Sequence, residues 1–202
     1  MTIAKSPLFD PGWAYIDKPD LETFAAADWA LLGSQRKAYN AADQARQVMR
    51  LLAASRDDTS FGYAVNNYRH CIQSATAAMR DGRSEAYVVM ALLHDIGFVA
   101  CPDNHGAFSA ALMAPYLPAE LTWILERHMW FLDAHCPTHP ACDPLVRERW
   151  RGHAWFAAAA EFVVLYDQST IRADGDELPL SVFEPLVHRV FAAPLHISAV
   201  PL

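Results

Sequence analysis

The chain has 202 residues, 53% of them hydrophobic and 19% charged, which supports one sizeable buried core and excludes disorder over most of its length. Its 16 Lys and Arg against 23 Asp and Glu give a formal charge of -7 with no basic block, so binding along a nucleic-acid backbone is not expected. No apolar run reaches the roughly 18 residues of a membrane span, and Met1 to Asp10 lacks the order of a signal peptide. The expectation is a cytoplasmic protein that meets a small-molecule substrate and neither nucleic acid nor membrane. Four cysteines in a chain of this length do not suggest a disulfide framework. Lys occurs only at Lys5, Lys18 and Lys37, so a cationic contact elsewhere must come from Arg or a metal ion.

The first twenty residues, with Pro7, Pro11, Gly12 and Pro19, read as an irregular arm, since Pro removes helix donors and fixes φ. Apolar residues three and four apart then predict helices from about Glu22 to Ser55 and from Tyr63 to Arg80, interrupted at Asp57-Asp58 and again at Gly82. Ser84 is suited to cap a third helix that ends before Gly97. Two shorter helices, Gly106 to Met113 and Ala119 to Phe131, are punctuated by Pro115 and Pro118. After a Pro- and Cys-rich loop, His135 to Pro144, helices resume from Leu145 to Asp167 and from Leu180 to Phe191. No alternating run predicts a strand, and the expected class is all-α with one domain.

His94-Asp95 closes the apolar turn Ala91-Leu92-Leu93 and puts two metal-binding side chains at a helix terminus. On the preceding helix Asn66, His70 and Gln73 share a face. His128 follows the stripe Leu121, Ile124 and Leu125, and Asp167 follows Ala160, Val163 and Val164. A carboxylate on an apolar stripe is costly without a partner such as a cation. Four helices thus present His70, His94-Asp95, His128 and Asp167 to one interior, and His105 at the start of a short helix offers a further imidazole. This inventory suits two divalent ions, with nitrogen ligands for each and a carboxylate able to bridge them.

His70, His94-Asp95 and Asp167, in this order, resemble the HD-domain superfamily of metal-dependent phosphohydrolases, which are helical. With His105 and His128 between the dipeptide and the last Asp, the set is similar to that of the mixed-valent di-iron HD-domain oxygenases. These include the phosphonate-cleaving oxygenases and, more distantly, myo-inositol oxygenase. The stretch Phe61 to Phe98, with Asn66, His70, Gln73-Ser74, Glu85 and Ala91 to Gly97, looks most like the phosphonate oxygenases.

The resemblance covers about 51–192 and implies there an all-α, single-domain HD-domain fold with the metal-binding core; an N-terminal arm and helical extension over 1–50 and a tail over 193–202 lie outside it. It implies two iron ions, Fe(II)/Fe(III), with O2 as co-substrate. One ion would be held by His70, His94, Asp95 and Asp167, the other by His105 and His128, with Asp95 bridging. These six residues carry the implied catalysis, an oxidation or cleavage of an activated C–H, C–C or C–heteroatom bond in a small polar metabolite. The chain also departs from the pattern. Leu132 stands where the phosphonate oxygenases place a Lys, Phe98 stands where many relatives have His or Lys, and the family's anion-binding run before the last Asp is missing. A more apolar and aromatic pocket is implied. Hydrolysis of a nucleotide or phosphate ester is the alternative that the wider superfamily suggests.

Around this centre Tyr63, Asn66, Gln73, Phe98, Trp130 and Phe131 are the candidate substrate-binding residues. Phe131 and Trp130 belong to an aromatic group that reads mainly as core. His135, Cys136, His139 and Cys142 read either as a covering loop or, with thiolate and imidazole together, as a second zinc-type site. Arg147, Arg149 and Arg151 read as a solvated face from which one Arg could turn inward to a carboxylate.

Overall fold

The computed structural model describes residues 12–195, which contain seven α-helices and no strand. The chain is therefore all-α, as its periodicity predicts. No helix of the described residues is long and apolar enough to cross a membrane. The described residues divide into two compact units, 12–44 and 45–195. Residues 1–11 of the expected arm, and the expected tail beyond Leu195, lie outside the described residues.

In the first unit an extended segment leads to a single 3-10 turn, Leu21–Thr23, and then into α1, Ala26–Ala54, whose residues from Ala45 onward belong to the second unit and its core. Gln35 fixes the extended segment by accepting from Ala14 N at 2.8 Å and donating to Ala14 O at 3.0 Å. Asp28, in the first turn of α1, accepts from Ala25 N at 2.7 Å and from the Lys18 ammonium. It thereby satisfies a helix-end donor and places negative charge at the positive end of the helix.

The second unit builds the core from α2 (Asn67–Arg80), α3 (Glu85–Leu93), α4 (His105–Met113), α5 (Ala119–Leu132), α6 (Phe156–Phe162) and α7 (Leu180–Ala192). From Val88 to Leu93 every residue of α3 is buried, the mark of a helix surrounded on all sides. α2 and α7 both pack on α3, and α5 packs on α4 and α6. Ile124, Leu125, Phe162 and Phe183 are fully buried among them, each worth about 1.5–3 kcal/mol relative to exposure. α3 stops at His94, so the most enclosed helix delivers His94-Asp95 to the middle of the unit.

Two helix assignments differ from the periodicity. α2 starts at Asn67 rather than Tyr63, because Asn66 is extended (φ -82°, ψ 172°) and its side chain accepts from Arg69 N. Asn is among the strongest N-caps, and it wins over an apolar pattern that carries on through it. The run Leu145 to Asp167 is not one helix either. It comprises a 3-10 segment, Val146–Trp150, turns through Gly152 and His153, then α6 and a π-helical turn, Val163–Asp167.

Gly106 sets the spacing of α4 and α5. A Cβ there would lie 3.0 Å from Glu126 O and 3.1 Å from Leu125 O. The missing side chain allows α4 to approach the backbone of α5, and the residues on either side of this contact are His105 and His128.

Candidate metal centre

His70 lies on α2, His94 and Asp95 at the end of α3, His105 at the start of α4, His128 on α5, and Asp167 in the π-helical turn. All six are buried, and their polar ends converge. His70 Nε2 and His94 Nε2 are 3.0 Å apart, as are His105 Nε2 and His128 Nε2 at 3.1 Å. Asp95 stands between the two pairs. Its Oδ1 lies 3.0 Å from His105 Nε2, 3.1 Å from His128 Nε2 and 3.6 Å from His94 Nε2, while Oδ2 lies 3.7 Å from His70 Nε2. Asp167 Oδ1 is 3.5 Å from His70 Nε2 and 3.9 Å from His94 Nε2. Two clusters result, His70, His94 and Asp167, and His94, Asp95 and His128, each with ligating atoms within 4.8 Å of one another.

The outer nitrogens explain why the inner ones face each other. His94 Nδ1 donates to Ala91 O at 2.8 Å, His105 Nδ1 to Pro102 O at 2.7 Å and His128 Nδ1 to Leu125 O at 2.8 Å, in every case the carbonyl three residues earlier. His70 Nδ1 donates instead across the unit to Thr170 O at 3.2 Å. Thr170 Oγ1 is equally close to it and has its own hydroxyl proton directed at Tyr166 O or Asp167 O. With the Nδ1 protons engaged in this way, each neutral ring presents its Nε2 lone pair to the centre. Four lone pairs and two carboxylates then converge on a volume from which water is largely excluded. They repel one another unless protons or metal cations lie between them.

Without a cation the electrostatics split this set. Burial drives His94 down to about 4, keeping its ring neutral. Burial also opposes charge at His70 and His128, yet Asp167 and Asp95 outweigh it and raise both. Asp95 is held well below the usual carboxylate range, since the imidazoles of His94, His105 and His128 outweigh its desolvation. Asp167 Oδ2 is buried with no hydrogen-bond partner, an orphan acceptor whose simplest partner is a cation. The residues therefore fit one or two metal ions, through nitrogen and oxygen donors that suit iron, manganese or zinc.

Above the centre opens a cavity of about 250 Å3 that His70, Asp95 and Asp167 reach from below. Of the expected substrate-binding residues, Tyr63, Asn66 and Phe98 line it. Gln73, Trp130 and Phe131 do not. Gln73 is buried against the segment 172–177, donating to Arg172 O and Glu177 Oε1 and accepting from Arg172 N. Trp130 stacks on Trp150 at the surface with ring centroids 5.1 Å apart, and Phe131, one residue further round α5, is fully buried against Trp123, Trp150 and Phe156. Trp130, two residues after His128, points to the opposite side of α5, and Phe131, three residues after it, shares the buried side of the helix but is taken up by the ring cluster rather than the cavity.

His135 and Cys136 line the cavity wall, but the loop does not form a second metal cluster; among the described residues the two clusters above are the ones found. Desolvation and then the Asp133 carboxylate push the Cys142 thiol up to about 11, which disfavours the thiolate that zinc needs. No Arg of the 147–151 segment lines the cavity; Arg151 makes two 2.6 Å contacts to Glu148.

Two positioning residues escape a sequence reading. Asn67 donates to Asp95 O at 2.9 Å, and Thr170 orients His70. Asn67 sits beside the cap Asn66 and carries no periodic signal, and Thr170 follows a π-helical turn that periodicity does not reveal. No protein-family model matches the chain, and no curated protein matches it.

Proposed function

We propose that the centre holds two iron ions, Fe(II)/Fe(III), and that the protein is an HD-domain-like, non-haem di-iron oxygenase acting with O2 on a small polar metabolite. The observation that carries the reading is Asp95, which stands between the two imidazole pairs with Oδ1 within 3.6 Å of His105, His128 and His94 and Oδ2 3.7 Å from His70, within reach of an ion on either side. His70, His94, Asp95 and Asp167 would hold one ion, and His105 and His128 would share Asp95 with the other. Iron bound there would supply the one-electron activation of dioxygen that no side chain provides.

The protein's own contribution is positional. Backbone carbonyls fix the tautomer and direction of four rings, Asn67 anchors the Asp95 backbone, and Phe98 stands edge-on to His105 with ring centroids 5.3 Å apart, limiting water on that side. Three residues, Asn67, Thr170 and Phe98, thereby hold the ligands and shield them without touching an ion.

Anaerobic iron loading followed by EPR tests the reading. A mixed-valent signal that shifts with added ligands, together with O2 uptake across a compound panel, is expected. One tightly held non-iron ion with phosphate release from phosphate esters would assign the site to hydrolysis instead.

A further inference from the structure

The walls of the cavity are unlike its floor. Among the described residues none that lines it is Lys or Arg. Asn67 and Gln168 each direct one amide N–H into the protein, to Asp95 O at 2.9 Å and to Val164 O at 3.1 Å, and each keeps a carbonyl oxygen for a ligand. Asn66 spends both N–H groups on Arg56 O and Asp58 O. At the mouth stand three aromatic rings, Phe61, Tyr63 and Phe98. Phe61 and Tyr63 are exposed, and the Phe61 ring meets Phe98 edge-on at 6.3 Å. Phe61 is the one non-glycine residue of the described chain with a positive φ, 52°. An aromatic side chain held at cost in the left-handed region, with its ring exposed beside a cavity, is the kind of strain that function maintains.

Aromatic faces and carbonyl oxygens on walls without Lys or Arg are surroundings that attract an ammonium group, and away from the metal floor they give an anion no counter-charge. We infer that the substrate is a small hydroxylated ammonium compound, its oxygen directed to the metal centre and its cation held at the aromatic mouth by Phe61, Tyr63 and Phe98. The inference rests on the cavity's being the substrate site of the proposed centre, but not on iron or O2 chemistry.

The test is calorimetric titration of zinc-loaded protein, which reads binding without turnover. Three probes share a two-carbon hydroxyalkyl stem and end in trimethylammonium, in its uncharged tert-butyl isostere, or in a carboxylate. The quaternary cation cannot ligate the metal, so its advantage reports the mouth alone. It is expected to bind about tenfold more tightly than the isostere, while the carboxylate, which can ligate zinc directly, is read by its response to changes in the wall. Phe61→Leu and Tyr63→Leu, both at exposed positions, should each reduce that advantage several-fold and leave the isostere unchanged. Leu132→Lys, which adds a cation to the wall, should favour the carboxylate. Equal affinity for cation and isostere, or no binding of any probe, overturns the inference. If the ammonium preference holds while iron loading yields neither a mixed-valent signal nor O2 uptake, the oxygenase reading falls and the substrate class stands.

Discussion

The floor and the mouth of the cavity are built from different materials. Three of the four floor imidazoles take their orientation from a carbonyl one turn back in their own segment. All four rings lie in buried surroundings where a misplaced lone pair has no water to turn to. The mouth is made of turns and exposed rings, with Phe61 and Gly62 at positive φ and His135 and Cys136 in the loop after α5. Rigid elements fix the geometry that the proposed chemistry would require, and loops carry the groups that would choose what enters. Mutations in the floor should therefore change metal content, while mutations in the mouth should change ligand preference and leave the metal in place.

The largest effect falls on Asp95. Asp95→Ala removes the group between the two imidazole pairs, and if the centre is the two-ion site proposed above, metal analysis should show occupancy falling from about two ions per chain to one or none, with the proposed oxygen uptake lost. Gly106→Ala comes next. Its new methyl meets backbone of α5 rather than a flexible side chain, so chemical denaturation should show a loss of about 1–3 kcal/mol. Metal analysis should also show His105 and His128 losing their ion before the other pair loses its own. Asn67→Ala leaves the ligands intact and removes only the anchor of Asp95. A fall of about 10–100-fold in metal affinity is expected, with the fold unchanged by circular dichroism.

Acid should separate loaded from metal-free protein. In the metal-free chain the carboxylates raise His70 and His128, so their stabilisation is complete below the unfolded imidazole value of about 6.5 and is lost as pH rises through their folded values. The same protons compete with the ion, whereas His94, held near 4, does not compete in this range. The difference in Tm between loaded and metal-free protein should thus widen from about pH 6 to about pH 8. The smallest effect is at the mouth. Phe61→Gly relieves the positive φ, and stability should be unchanged or rise by up to about 1 kcal/mol, with metal content as before. Loss of metal in this variant would mean that mouth and floor are one cooperative unit.

The sequence by itself determined the helical class, the end of α3 at His94-Asp95 and the burial of His128 on the stripe of Leu121 and Leu125. Each follows from local periodicity and from the cost of leaving apolar surface in water. Asp167 shows where that logic stops. It was grouped with Ala160, Val163 and Val164, yet Val164 is exposed while Val163 and Asp167 are buried, because the π-helical turn closes Gln168 N onto Val163 O and shifts the phase of the helix. Trp130 shows it again, since two residues from His128 along α5 is the opposite side of the helix. Only the tertiary structure decided that Asp95 stands between two imidazole pairs, that Gly106 admits α4 to α5, and that Asn67 and Thr170 hold the ligands in place. Those relations join residues whose separation in sequence reaches 100 positions, and packing between helices, which no local pattern encodes, is what brings them together.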